Sequence, residues 1–220
     1  MVVSMWHIWD ARNRFREGEP MMHPRSVAEK VLAYIQMIVT HLYNPPTSHR
    51  REISSSMLKW SPPPTGMVLV NVDAAIFSVS RRMGVGVVIR DHNGVCLTAC
   101  SEYQEEVTSP EIAEALALRR AITLAKDEGF TNIIINSDCL SVVNRVNAVE
   151  DDRSLCGPVI HDVRKLMASF TSCSINHVVR GLNVAAHTIA KLSVSLGCVV
   201  WQGVSPDCIR EILCNDIMIM

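Results

Sequence analysis

The stretch VNVDAA, residues 70–75, places an acidic residue inside a segment that otherwise has the composition of a central β-strand. The surrounding residues, MVLVNVDAA, are apolar enough to be covered on both faces of a sheet. Burying the unpaired carboxylate of Asp73 there would cost several kcal/mol or would keep it protonated. Asp73 therefore requires partners from other parts of the chain, and acidic residues at equally unusual positions are the candidates.

Length and composition bound the class of protein. The 220-residue chain is long enough for one ordinary domain and an appendage. With 48% hydrophobic and 20% charged residues, it is globular in composition and can bury a sizeable core. A formal net charge of -1 argues against a protein that is held on nucleic acid by bulk electrostatics.

Cysteine spacing and hydropathy bear on disulfides, zinc sites and cellular location. The eight cysteines include no C-x-x-C pair, so the sequence predicts neither a cysteine-based zinc site nor a disulfide framework. The N-terminus lacks the long uncharged core of a signal peptide, and no apolar run approaches the roughly 18 residues of a transmembrane helix. We therefore expect a soluble protein without a membrane partner, in the cytoplasm or the nucleus.

Two changes of composition divide the chain. Residues 25–43 carry apolar side chains at three- and four-residue steps, which predicts a helix. The stretch that follows, up to SPPPTG at residues 61–66, is rich in proline, serine and arginine and is typical of a linker. We accordingly predict three segments: a helical appendage with its linker (1–56), a main domain (57–197) and a C-terminal tail (198–220) too irregular to assign.

The main domain begins with three strand candidates, MVLVNVDAA, MGVGVVIRD and VCLTACSEY, whose short connections predict an antiparallel meander. A long helix follows, with Ser109 as N-cap, Pro110 in its first turn and Gly129 at its C-terminal stop. A strand ending in IIINSD, two helices, a fifth strand and a last helix complete the order. The order β-β-β-α-β-α-α-β-α predicts an α/β fold, with a five-stranded mixed sheet flanked by helices.

Two more acidic residues occupy positions that favour apolar side chains. At about 100° per residue, Glu114 falls within the stripe by which the long helix should pack on the sheet. Asp138 ends the strand IIINSD, and the carboxyl ends of strands in α/β sheets are a usual place for site residues. If the first and fourth strands are neighbours, Asp73 and Asp138 lie side by side and Glu114 completes a cluster of three. Such a cluster raises its own pKa values, and a divalent cation such as Mg²⁺ or Mn²⁺ relieves the repulsion.

Each acid taken alone also has a structural explanation. Asp73 could cap a strand end or pair with an arginine, Glu114 could extend to solvent, and Asp138 could be the N-cap of the following helix. The joint occurrence of three acids on three core elements favours a site. The G-x-G of GVGVVIRD, in contrast, is followed by strand and turn, so it predicts close backbone approach and not a nucleotide-binding loop.

Several motifs occur in a specific order: SPPPTG, NVDAA, GVGVVIRDHNG, SPEIAEALALRRAI, NSDCLSVV and RGLNVAAHTIAK. Over residues 60–195 they resemble the RNase H-like (type 1 ribonuclease H) domain of plant non-LTR retroelement-derived proteins. WHIWDARNRF, residues 6–15, resembles the segment just upstream of that domain in non-LTR reverse transcriptases. The resemblance implies the RNase H fold and metal-dependent endonucleolytic hydrolysis of the RNA strand of RNA–DNA hybrids.

The resemblance also implies roles for individual residues. Asp73, Glu114 and Asp138 match the family's metal-binding acids, which implies Mg²⁺ as the cofactor and Mn²⁺ as the alternative. In the family a fourth acidic position opens the last helix, and here NVAAH places His187 at that position. Imidazole titrates near neutral pH, so His187 could bind metal or carry a proton. The loss of one negative charge should weaken Mg²⁺ binding relative to softer metals such as Mn²⁺.

Three functional hypotheses follow. The first is a metal-dependent ribonuclease acting on RNA–DNA hybrids, with Asp73, Glu114, Asp138 and His187 as its catalytic residues. The second is a nucleic-acid-binding or interaction protein on the same fold, in which the change to His187 has weakened catalysis. The third is a retroelement relic without selected activity.

Overall fold

The structure, a computed structural model, describes residues 2–20, 22–38 and 59–218. The chain divides into two compact units, Met1–Ser55 and Ser56–Met220. The domain limits predicted from the sequence stay predictions. In the part of the chain that the structure describes, no helix is both long and apolar enough to cross a membrane.

The first unit contains two helices, α1 (Val2–Arg16) and α2 (Pro24–Ile38). α2 agrees with the helix predicted to begin at residue 25. The last part of that prediction, residues 39–43, lies outside the described residues, as does the predicted linker up to residue 58.

The second unit carries every predicted site residue. Its elements are β1 (Val68–Phe77), β2 (Arg82–Arg90), β3 (Cys96–Glu105), α3 (Pro110–Asp127), β4 (Asn132–Ser137), α4 (Leu140–Asn147), α5 (Gly157–Met167), β5 (Ser172–His177), a 3₁₀ turn (Arg180–Leu182), α6 (Val184–Leu196), β6 (Val199–Gln202) and α7 (Asp207–Met218).

The six strands form one mixed sheet in the order β5-β4-β1-β2-β3-β6. β1, β2 and β3 are the predicted antiparallel meander, and β1 pairs in parallel with β4, which pairs in parallel with β5. The α/β fold class and the neighbourhood of the first and fourth strands are therefore confirmed. The sheet has one strand more than predicted, because β6 pairs with the outer edge of β3.

The segment predicted as a tail forms β6 and α7. β6 has 4 residues, too few to show a period of two, and it obtains its hydrogen-bond partners from β3. α7 places Ile209 and Leu213 in a core that also contains Val88 of β2 and Ala99 of β3. Both elements depend on contacts with distant strands, which a local sequence pattern does not report.

Alternation along β1 divides its side chains between two cores. Val68, Val70 and Val72 enter the larger core, together with residues of α3, α4 and α5. Because successive side chains of a strand point to opposite faces, Asn71 and Asp73 lie on the other face, where α6 and α7 pack. Both are buried. The face that carries Asp73 is therefore the more polar of the two.

Glycines in β2 let α6 lie directly against the sheet. A Cβ atom at Gly84 would lie 2.0 Å from Ser193 Oγ, and one at Gly86 would lie 2.1 Å from the carbonyl oxygen of Ala186. The close backbone approach predicted for GVGVVIRD is thus confirmed, and the approaching element is α6. Because Gly86 pairs with Asp73 across the sheet, this contact also brings α6 beside Asp73.

Gly86→Ala should lower the free energy of unfolding by roughly 1–3 kcal/mol, because the added methyl group forces α6 away from β2. Urea denaturation followed by circular dichroism measures the change. Gly181→Ala is the matched control: a Cβ there meets nothing within 4 Å, so the change should stay below about 0.5 kcal/mol. Equal losses in the two variants would contradict the close contact at Gly86.

A buried ion pair attaches α7 to β2. Arg90 is 1% exposed, and its guanidinium donates a 2.6 Å hydrogen bond to Asp216 Oδ2, near the end of α7. The same guanidinium lies 3.6 Å from the centre of the Trp60 ring, in a cation–π contact. Trp60 is itself buried. Arg90 therefore joins residues from near both ends of the second unit.

Asp216→Ala should lower the free energy of unfolding by roughly 3 kcal/mol, since it leaves the Arg90 guanidinium buried without its carboxylate. Urea titration measures this loss. On the same helix, Arg210→Ala removes an exposed ion pair with Asp207 and should cost less than about 1 kcal/mol. A loss at Asp216 no larger than the loss at Arg210 would mean that the buried pair does not anchor α7.

Candidate active site

The end of β4 lies beside the middle of β1 and brings Asp138 to Asp73. β1 and β4 pair in parallel up to Val72 and Ser137, so Asp138, the residue after β4, lies beside Asp73, while β1 continues to Phe77. Both side chains line one pocket, and Asp138 is among the groups that raise the pKa of Asp73. The structure therefore forms the side-by-side pair that the sequence predicts.

Glu114 reaches the same edge from α3. Ser109 caps this helix by accepting a hydrogen bond from the Ile112 N–H, and Glu114 follows in the second turn. The backbone N–H of Ala74 donates to the Glu114 carboxylate. Glu114 thus joins Asp73 beside β1, while α3 packs on the sheet through its alanines and leucines.

Burial and mutual repulsion raise the pKa values of Asp73 and Glu114. The pKa of Asp73 is raised to about 9, first by burial and then by the charges of Glu114 and Asp138. The pKa of Glu114 is raised to about 8, by burial and by Asp138. The Arg180 guanidinium opposes both shifts without cancelling them. Both shifts favour the protonated carboxyl groups at neutral pH.

His187 lies against Asp73, with its Nδ1 2.6 Å from Asp73 Oδ2. A guanidinium nitrogen of Arg180 lies 2.8 Å from Nε2 of the same ring. Because arginine can only donate, Nε2 accepts, and Nδ1 carries the proton that is donated to Asp73. Burial and the positive charges of Arg180 and Lys191 lower the pKa of His187, so the ring is neutral at pH 7. His187 therefore adds a hydrogen bond to the cluster and no charge.

One pocket of about 350 Å³ collects the acidic groups. Its lining includes Asp73, Glu111, Glu114, Asp138, Cys139, Ser141 and Arg180. The Glu111 carboxylate is already paired with Arg145, whose Nε lies 2.9 Å away. A larger cleft of about 660 Å³ lies between α1 and α2 in the first unit, and it contains none of the predicted site residues. The acidic pocket is therefore the candidate active site.

Asn183 opens the NVAAH motif, and the structure shows which groups its side chain holds. It is 1% exposed, and its Nδ2 donates to the Val72 carbonyl at 2.9 Å and to Asp138 Oδ1 at 3.1 Å. One amide thus ties together β1, β4 and the start of α6. An asparagine just before a helix is expected to be an N-cap, whereas the Asn183 side chain makes no cap hydrogen bond. The side chain of Asn183 instead contacts Val72 and Asp138, which are distant in the sequence.

The donor chemistry of the pocket fits a hard divalent cation, because carboxylate oxygens are the ligands that Mg²⁺ and Mn²⁺ prefer. Burial and mutual repulsion raise the pKa values of Asp73 and Glu114 in spite of Arg180, and a bound cation would favour their ionised forms. Among the residues that the structure describes, however, no three His, Cys, Asp or Glu side chains are arranged so that they could hold a metal ion. Cation binding would therefore require the side chains of the pocket to move.

The site lies within a region that matches a known protein family. The family described as reverse transcriptase-like matches residues 71–193, more than half of the 220-residue chain. The matched region begins just before Asp73 and ends beyond His187, so it includes all four predicted site residues. No curated protein matches the chain.

Solved structures share the fold. RNase H1 from the halophilic archaeon Halobacterium salinarum is 24% identical, with a TM-score of 0.53 over 59% of this chain and 98% of that chain. LC11-RNase H1, isolated from compost by a metagenomic approach, is 20% identical, with a TM-score of 0.55 over 60% and 98%. The same enzyme in complex with an RNA/DNA hybrid is 20% identical, with a TM-score of 0.53 over 59% and 97%. At these identities the likeness shows the RNase H fold.

The raised pKa of Asp73 predicts how stability varies with pH in metal-free buffer. A folded-state pKa near 9, above the ordinary value of 3.8, favours folding at low pH, and this contribution is lost as pH rises from about 4 to about 9. Asp73→Asn cannot ionise, so relative to the natural protein it should gain on the order of 1–3 kcal/mol between pH 4 and pH 8. Urea titrations with EDTA at both pH values measure the gain.

Asp162→Asn is the control for this measurement, because it makes the same chemical change at an exposed carboxylate outside the pocket. Its effect on the free energy of unfolding should be nearly the same at pH 4 and pH 8. If the effect of Asp73→Asn were equally independent of pH, the Asp73 carboxylate would not be destabilised by its surroundings.

Proposed function

Because this chain belongs to the reverse transcriptase-like family, we propose that it is a ribonuclease of the ribonuclease H type. It hydrolyses the RNA strand of RNA–DNA hybrids and uses Mg²⁺, with Mn²⁺ as the alternative. The observation that carries the proposal is the meeting of Asp73, Glu114 and Asp138 in one pocket, where the carboxyl end of β4 lies beside β1. The crystal structure of LC11-RNase H1 with an RNA/DNA hybrid supports this choice of substrate.

Asp73, Glu114 and Asp138 are the residues that would hold the cation. The chemistry that a bound cation would supply is activation of water as the nucleophile and stabilisation of the leaving oxygen of the phosphodiester. Asp73 and Glu114 release their protons to become ligands, so cation binding strengthens as pH rises. Asn183 keeps Asp138 in place through its 3.1 Å hydrogen bond, and His187 donates to Asp73 as a neutral imidazole.

Arg180 is the cationic group that faces the pocket. It lines the pocket wall, is exposed, and contacts the ring of His187. A guanidinium matches the geometry of a phosphate group, so we assign Arg180 to a backbone phosphate near the bond that is cut. Since the net charge of -1 provides little general attraction, recognition depends on such local contacts and on the shape and 2′-hydroxyl groups of the hybrid.

A second function, binding of nucleic acid without turnover, is favoured by one observation. His187 stands where the resemblance implies an acid, and its 2.6 Å contact with Asp73 occupies an oxygen that a cation would need. In this alternative the protein keeps the RNase H fold and its affinity for hybrids, but the weakened metal site no longer supports hydrolysis.

The retroelement origin and the cellular location are further proposals. WHIWDARNRF in the first unit supports an origin from a plant non-LTR retroelement, because it resembles the segment just upstream of the RNase H domain. Remnants of a reverse transcriptase gene in the flanking DNA would test this origin. We place the protein in the cytoplasm or the nucleus, and imaging of a tagged protein in cells tests that assignment.

A labelled RNA–DNA hybrid should be cut in its RNA strand when the protein is incubated with Mg²⁺ or Mn²⁺, and faster with Mn²⁺. Asp73→Asn should reduce the rate by roughly 100-fold or more, because it removes a ligand. His187→Asp restores the negative charge and should raise the rate with Mg²⁺ by roughly 10-fold. Asp162→Asn, outside the pocket, should leave the rate unchanged.

The outcomes separate the two functions. Hybrid binding without cleavage in the natural protein, with cleavage appearing in His187→Asp, would establish the binding protein and overturn the ribonuclease. Cleavage by the natural protein that persists in Asp73→Asn would place the chemistry outside this pocket.

A further inference from the structure

A continuous chain of hydrogen bonds crosses the interior of the second unit from α7 to the acidic pocket. We call it the polar relay; its members are, in order, Asp216, Arg90, Asn71, Asn183 and Asp138. Arg90 donates to Asp216 Oδ2 at 2.6 Å and to Asn71 Oδ1 at 2.9 Å. Asn71 Nδ2 donates to Asn183 Oδ1 at 3.0 Å, and Asn183 Nδ2 donates to Asp138 Oδ1 at 3.1 Å.

The chemistry of its two ends fixes the direction of the polar relay. The Arg90 guanidinium can only donate, and the Val72 carbonyl, which also accepts from Asn183, can only accept. Each of the two amides between them therefore has one satisfied orientation, with its oxygen toward Arg90 and its NH₂ group toward the pocket. A flip of either amide would place donor against donor at one side and acceptor against acceptor at the other.

The middle of the polar relay is sealed from water. Arg90, Asn71 and Asn183 are 1%, 0% and 1% exposed, so water cannot replace a broken link. A buried arginine–carboxylate pair adds little net stability, because apolar residues of similar volume often stabilise a core equally well or better. Among the described residues, Arg90 Nε even lacks an acceptor. Stability by itself therefore does not account for this arrangement.

Asn183 connects the polar relay to two site residues at once. Its side chain holds Asp138, and its backbone carbonyl accepts a 3.0 Å hydrogen bond from the N–H of His187, in the first turn of α6. Asn71, which holds Asn183, lies on the same face of β1 as Asp73 and two residues before it. A displacement of Asn183 would therefore move Asp138 and His187 relative to Asp73.

We propose that Arg90, Asn71 and Asn183 are positioning residues that orient Asp138 for cation binding, and that α7 belongs to the active site through Asp216. The proposal deepens the proposed function and rests on it in one respect, that Asp138 is a metal-binding residue. It assigns a catalytic purpose to the C-terminal helix, although no residue of that helix lines the pocket.

The test compares two substitutions on α7. Asp216→Leu removes the acceptor at the start of the polar relay, whereas Leu213→Ala weakens the packing of α7 and leaves the relay intact. Three quantities are measured at temperatures that give both variants the same free energy of unfolding. They are hydrogen exchange of the Asn183 side-chain amide by NMR in metal-free protein, the Kd for Mn²⁺ by calorimetry, and kcat and KM on the hybrid.

Asp216→Leu should speed exchange of the Asn183 amide, weaken Mn²⁺ binding by roughly 10–100-fold and lower kcat with little change in KM. Asp216→Asn keeps an acceptor oxygen for Arg90 and should restore most of each quantity. If Asp216→Leu does not fold, Asn71→Asp serves in its place. The new aspartate keeps a carboxylate oxygen that accepts from Arg90. Its other oxygen, an acceptor, faces Asn183 Oδ1, so the Asn183 amide should rotate to present its NH₂ group. The rotated amide should then produce the same losses.

If Asp216→Leu and Leu213→Ala changed the amide exchange, the Kd for Mn²⁺ and kcat equally, the proposed role of the polar relay would be wrong. It would also be wrong if Asn71→Asp left the NMR signals of the Asn183 amide unaltered. Failure of the proposed function gives a different result: the natural protein itself would neither bind Mn²⁺ at the pocket nor cut the hybrid. In that case the exchange of the Asn183 amide, measured without metal, still decides whether α7 orders the pocket through Asp216.

Discussion

The desolvation of the Asp73 carboxylate is the constraint on which the rest of this structure depends. Asp73 lies within β1, between β4 and β2 in the strand order β4-β1-β2, and burial is the largest cause of its raised pKa. A carboxylate in this position needs a proton or a cation. The hydrogen bond with His187 is partial compensation that the protein provides by itself. Under the proposed function, a bound cation would take the place of the proton.

Close packing of α6 turns this constraint into a defined geometry. Gly86 in β2 is the register partner of Asp73, and its missing side chain lets α6 approach the sheet at Ala186. The next residue along the helix is His187, which is why an imidazole reaches Asp73. The same approach brings Asn183, at the start of α6, within hydrogen-bond distance of Val72 and Asp138. Backbone contact and polar contact therefore support one arrangement.

The neutral His187 distinguishes this pocket from one with four acids. It satisfies Asp73 by hydrogen bonding and leaves the total negative charge smaller, so a cation has less to gain by binding. Orientation of the remaining acids then matters more. The proposed polar relay from Asp216 to Asp138 would supply such orientation from the face of the sheet on which α6 and α7 pack, with both amides held in one direction by Arg90.

The sequence by itself determined the order of elements from β1 to α6, the α/β class and the unusual positions of the three acids, because periodicity and polarity report local burial, and a carboxylate in a buried strand stands out. Only the tertiary structure decided which groups meet. Asp73 and His187 are 114 positions apart, and Asn71 and Asn183 are 112 apart, so no local pattern could pair them. The proton position on His187, the role of Asn183 and the contribution of α7 all depend on such pairs. Hydrogen bonds between distant residues become visible only when the sheet and α6 have brought their partners together.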